Sequence, residues 1–80
     1  MTLDKIKSLI DNFEAVKFGS KCFEIRRNDR DYKFGDEVLL EEYDGKHYTG
    51  RILHRKITFI QHGGEYGLHK DYVVFAIEAL

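Results

Sequence analysis

Proline is absent from these 80 residues, cysteine occurs once, and no apolar run approaches the roughly 20 residues that a bilayer-spanning helix needs. A lone Cys22 excludes an internal disulfide and agrees with a reducing compartment. Met1-Thr2-Leu3-Asp4-Lys5 lacks the apolar core of a signal peptide, so a cytoplasmic protein without membrane contact is expected. The missing proline carries no functional conclusion. An excess of one charge sign is also lacking. A formal net charge of -1 argues against nucleic-acid binding by bulk electrostatics, and any RNA contact must be local. His47, His54, His62 and His69 show no tight ligand spacing, so neither a metal site nor a cofactor is expected. A phosphate-cradling Gly-x-x-x-x-Gly-Lys loop is absent too, which leaves Gly63-Gly64 as hinge residues. With no internal repeat, low-complexity segment or linker, residues 1–80 read as one domain. A chain this short buries only about 60–65 % of its unfolded surface, so the core is small.

What is present divides into one helical and one extended region. Leu3, Ile6, Leu9, Ile10, Phe13 and Val16 recur at three- and four-residue steps, which predicts an amphipathic helix over residues 3–18. Thr2 would cap its start, Asp4 would favour the positive end of its dipole, and Lys17 with Gly19 would mark its end. Residues 21–27 then read as a strand and Asn28-Asp29-Arg30-Asp31 as a polar turn. Strands follow over residues 37–43, about 48–61 and 72–78, with Asp44-Gly45 as a hairpin signal and residues 62–67 as a flexible loop. Alternation slips near Arg55-Lys56, as where a barrel strand bulges. In the last strand Val73, Phe75 and Ile77 share one face. The expected class is α+β: a curved sheet closing into a partial β-barrel, with one N-terminal amphipathic helix.

The densest chemistry lies in Gly19-Ser20-Lys21-Cys22-Phe23-Glu24-Ile25-Arg26. If Phe23 and Ile25 point inward, alternation puts Glu24 and Arg26 together on the opposite, cleft-lining face. The spacing Gly-x-Lys-x-x-Glu-x-Arg resembles the signature of the ASCH (activating-signal-cointegrator homology) domain, a PUA-like superfamily member associated with RNA. Phe13-Glu14-Ala15-Val16-Lys17, Asn28 to Asp36, Tyr48-Thr49-Gly50-Arg51, Gly67-Leu68 and Tyr72-Val73-Val74 extend the resemblance to a small bacterial and phage branch of unassigned function. The resemblance implies a PUA-like fold with a cleft between helix and barrel.

Within that cleft Lys21 and Arg26 would hold a phosphate or base edge, and Glu24 would accept from an amino group. Arg27, Arg30 and Arg51 extend the basic surface, with Lys33, His54, Arg55 and Lys56 nearby in sequence. Tyr66, in the glycine loop, is the candidate stacking ring. RNA or a nucleotide-like ligand is therefore the expected partner, and no catalytic residue is assigned. Three other readings stand beside it. The charges could be a structural network anchoring the helix–strand junction. The protein could be an adaptor that contacts a protein partner. By resemblance to small ASCH amidohydrolases it could also remove an acyl group from a modified cytidine, although Glu24 stands where those enzymes carry a threonine and the insertion bearing their catalytic glutamate is missing. Cys22 reads as a small semi-buried side chain and not a nucleophile.

Overall fold

The computed structural model describes residues 3–80, which form a five-stranded sheet curled into a half-barrel with one short helix. In chain order the elements are β1 (Leu3–Leu9), α1 (Ile10–Lys17), β2 (Phe23–Arg27), β3 (Glu37–Tyr43), β4 (Tyr48–His62) and β5 (Tyr72–Ala79). The strands lie in the order β1-β3-β4-β5-β2; β1 runs parallel to β3, and the other pairings are antiparallel. The expected partial barrel with one helix is present. Among the described residues no helix is long and apolar enough to cross a membrane.

Strict alternation builds β3 and β5. Val38 and Leu40 on β3, and Val73, Phe75 and Ile77 on β5, are buried, and they meet Ile57 of β4 together with Phe13 and Val16 of α1. Tyr32 joins this core with its ring 4.8 Å from that of Phe75, and burial pushes its phenol above the ordinary tyrosine value. The β3–β4 hairpin turns at Asp44. Its Oδ1 accepts from the backbone N–H groups of His47 at 2.7 Å and Lys46 at 2.8 Å, which holds the carboxyl below the usual carboxylate range. Gly63 is needed for a close approach and not as a hinge. A Cβ there would stand 2.0 Å from the His69 carbonyl oxygen and 2.6 Å from that of Tyr72.

The N-terminal region departs from the expected helix. Residues 3–9 are a strand, and α1 begins only at Ile10, with Leu9 as an N-cap that makes no side-chain capping bond. Thr2, expected to cap, lies outside the described residues; Asp4 sits in β1, and Asp11 is the acidic residue of the first helical turn. The cause is tertiary. Without β1, β3 would be a sheet edge carrying buried Val38 and Leu40, and β1 covers it in register from Leu3↔Glu37 to Leu9↔Tyr43. The three- and four-residue spacing hid a second alternation, in which Ile6 and Ser8 point inward and Lys5, Lys7 and Leu9 outward. The helix end falls as expected: Gly19 takes a left-handed φ of +85°, and the Phe18 N–H donates to Glu14 O at 2.9 Å.

Three further expectations are corrected. The β4 irregularity lies between Ile57 and Phe59 against β5, where Thr58 is the extra residue, and the β3–β4 pairing has a second register shift between Glu41 and Tyr43 of β3. More consequential is β2, whose faces are reversed. Glu24 is 2 % exposed, whereas Phe23 and Ile25 are 43 % and 54 % exposed. Register against β5 decides this. Glu24 and Arg26 sit opposite Phe75 and Val73, which face the core, so they share the inner face. Phe23 and Ile25 sit opposite Ala76 and Val74 on the outer face. Cys22, expected to be semi-buried, is exposed just before β2.

This reversal has a direct test by urea denaturation. Phe75→Ala is expected to lower the unfolding free energy by about 3–5 kcal/mol, and Ile25→Thr to change it by no more than about 0.5 kcal/mol. A loss at Ile25 comparable to that at Phe75 would contradict the register of β2.

Candidate ligand-binding site

The half-barrel is open between β1 and β2, the two edge strands, which exchange no backbone ladder. An open edge leaves carbonyl and N–H groups without strand partners. Arginine side chains from the β2 side meet that need. Arg26 Nη2 donates to Lys7 O at 2.6 Å, and Arg30 Nη1 donates to Lys5 O, so two guanidinium groups span the seam to β1.

Arg26 is aimed by Glu24. Its Nε and Nη2 donate to Glu24 Oε1 at 3.1 and 2.9 Å, a pairing that fixes the planar guanidinium. Lys21 approaches the second carboxylate oxygen, with Nζ 3.3 Å from Oε2, and donates to Asn12 Oδ1 at 2.8 Å. The triad expected from spacing is therefore assembled, but around a buried carboxylate. Two cations compensate one anion there, which lets Glu24 lie inside the sheet.

A cleft of about 490 Å³ opens at this point, within the 300–1,000 Å³ typical of small-molecule sites. Leu9 of β1 and Phe23 and Ile25 of β2 form apolar walls, and Glu24 and Ser8 are the buried polar groups among its lining residues. The Lys21 ammonium stands 5.5 Å from the centre of the Phe23 ring. Ser8 is 2 % exposed, and its hydroxyl finds no hydrogen-bond partner among the described residues; Glu24 Oε2 likewise makes no hydrogen bond.

The other expected site residues divide. Arg27 and Arg30 line a smaller groove that continues from the cleft along the seam, sharing Lys7 and Arg26 with it. Arg27 also lies over the Tyr72 ring, 5.6 Å from its centre. Arg51 is elsewhere. It pairs with Glu14 at 2.8 Å and with buried Glu42 at 3.5 Å, and it covers the Phe13 ring, tying α1 to β3. Tyr66, 89 % exposed in the loop that follows β4, lines neither the cleft nor the groove. Sequence reasoning missed Ser8, Asn12, Phe23 and Lys7. The first and last were concealed by the helical reading of residues 3–9, and Phe23 by the reversed face of β2. An alternation count over Asp4-Ile6-Ser8 was the signal that could have found Ser8.

The chain belongs to the DUF3850 family, described as a domain of unknown function, which matches residues 3–77. It is 34 % identical over 56 residues to an uncharacterized 12.9 kDa protein encoded in the GpA 3′ region of Escherichia phage P2. That match covers 70 % of this chain and 51 % of the phage protein, so the chain spans about half the length of its relative.

The coupling inside the cleft is measurable by a double-mutant cycle. Glu24→Gln is expected to lower stability by about 2–4 kcal/mol, since Arg26 and Lys21 lose their counterion. Combined with Arg26→Gln, the losses should fall short of additivity by about 1–2 kcal/mol. Strictly additive losses would remove the ion pair from any account of this site.

Proposed function

We propose that this DUF3850 chain binds RNA or a nucleotide-like ligand in the cleft between β1 and β2. The observation that carries the reading is one cleft that joins apolar walls, a carboxylate acceptor and cationic heads. A nucleobase has apolar faces and a hydrogen-bonding edge, and its phosphate is anionic. Phe23, with Leu9 across the opening, suits the faces. Glu24 suits an amino group at the edge. Lys7, Lys21, Arg26, Arg27 and Arg30 stand along cleft and groove against only Glu24 and Asp29, in a chain whose net charge is -1. That local excess favours phosphates without requiring a basic protein. The Gly19-x-Lys21-x-x-Glu24-x-Arg26 spacing, which resembles the ASCH signature, supports the same ligand class, and the free thiol of Cys22 fits work in a reducing cytoplasm.

Hydrolysis of an acylated cytidine is less well supported. Lys21 faces Glu24 Oε2 and donates to Asn12 Oδ1, an arrangement of an ammonium group that binds and not of an amine that attacks. The adaptor reading draws on the exposed Phe23, Ile25 and Leu9, which a protein partner could cover.

Fluorescence anisotropy with single-stranded RNAs and mononucleotides over a salt series tests the proposal. Lys21→Ala and Arg27→Ala should each weaken binding across sequences and shallow the logarithmic salt slope by about 1. No detectable binding by the unmutated protein at low salt would reject RNA and leave the adaptor.

The same protein should leave acylated cytidine intact over hours at micromolar concentration. Hydrolysis that disappears in Lys21→Ala would replace the binding function with an amidohydrolase.

A further inference from the structure

At the cleft two buried oxygens make no hydrogen bond among the described residues: Ser8 Oγ, on the inner face of β1, and Glu24 Oε2, on the inner face of β2, the latter with the Lys21 ammonium 3.3 Å away. Buried polar atoms are ordinarily paired, and leaving one unmade costs about 1–3 kcal/mol. Ser8 could be alanine at no loss to the fold, because its hydroxyl bonds to nothing among the described residues. Both residues line one cleft, from opposite sides of the open seam.

We infer that Ser8 is a specificity-determining residue, which together with Glu24 Oε2 reads the edge of a base carrying an exocyclic amine beside a ring nitrogen. This rests on the nucleotide-binding function proposed above and names the ligand's chemistry. A carboxylate oxygen only accepts, so it takes the amine; a hydroxyl can donate, so it serves the ring nitrogen. Adenine and cytosine both present that edge. Uracil and hypoxanthine put a carbonyl where the amine would be, and two acceptors facing each other leave the buried carboxylate oxygen unsatisfied. In the free chain the Lys21 head, 3.3 Å away, covers Oε2. A bound ligand's phosphate draws that ammonium outward, and the base edge takes its place.

Short homopolymeric RNAs of adenosine, cytidine, uridine and inosine, titrated at one salt concentration, provide the test. The unmutated protein should bind the adenosine and cytidine oligomers at least about tenfold more tightly than the other two. In Ser8→Ala, adenosine and cytidine binding should weaken about five- to tenfold, with uridine and inosine unchanged and the urea midpoint equal or higher. Should Ser8→Ala fail to fold, Ser8→Cys, which keeps the shape of the side chain in a slightly larger volume and donates poorly, should lose the same discrimination. Equal binding of all four oligomers, or Ser8→Ala binding as the unmutated chain does, overturns this inference and leaves RNA binding standing. A uniform loss on all four oligomers makes Ser8 structural and overturns the inference. Absence of binding to any oligomer at low salt overturns both.

Discussion

A carboxylate buried in the sheet organises this molecule. Glu24 sits opposite Phe75, the best-buried aromatic of the core, and is held there because Arg26 and Lys21 converge on its two oxygens. The bonds that Arg26 donates to Glu24 set the direction of its guanidinium, which in turn reaches the Lys7 carbonyl across the opening. One anion therefore positions the group that joins the two edges of the sheet. Buried ion pairs contribute little net stability compared with apolar replacements, so their persistence here favours a geometric role.

The opening itself follows from the strand order. A closed barrel would pair β1 with β2 through backbone bonds and fill the space between them with side chains. Guanidinium groups span more distance than a backbone ladder, and they leave a gap between the strands. Into that gap face a serine and a glutamate, in positions a packed barrel would give to aliphatic residues. Apolar surface displaced from the inner face of β2 appears on its outer face as Phe23 and Ile25, which become the walls of the cleft. The reversed faces of β2 and the existence of the cleft are thus one structural fact.

Much of the architecture was legible in the residues. β3, β4 and β5 were marked by alternation and by Asp44-Gly45, because their register and their burial agree with local preference. Of the two edge strands, residues 3–9 read as helix, and β2 read as a strand but with its faces exchanged. For residues 3–9, Leu3, Ile6, Leu9 and Ile10 satisfy a helical stripe, and only the need of β3 for a second partner selects the extended form. For β2, the rule that apolar residues face inward fails because the ionic cluster compensates itself; nothing in Phe23-Glu24-Ile25-Arg26 alone reveals the register against Val73 and Phe75. At the site, spacing was enough to bring Lys21, Glu24 and Arg26 together. It could not place Arg51, whose partners Glu14 and Glu42 are remote in sequence.

The pairing of β1 with β3 and of β2 with β5 also fixes when the molecule can assemble. Leu3 pairs with Glu37, and Phe23 with Ala76, so each strand that walls the cleft depends on a partner made much later. Helix α1 links these strands in sequence but cannot hold them together in space. A chain growing from its N-terminus carries both walls early and joins neither to the other until β5 has been synthesised. Such distant pairings raise contact order and slow folding relative to local hairpins such as β3–β4. Loss of the closing strand would leave β2 without its sheet neighbour, and with it Glu24, Arg26 and the crossing to β1.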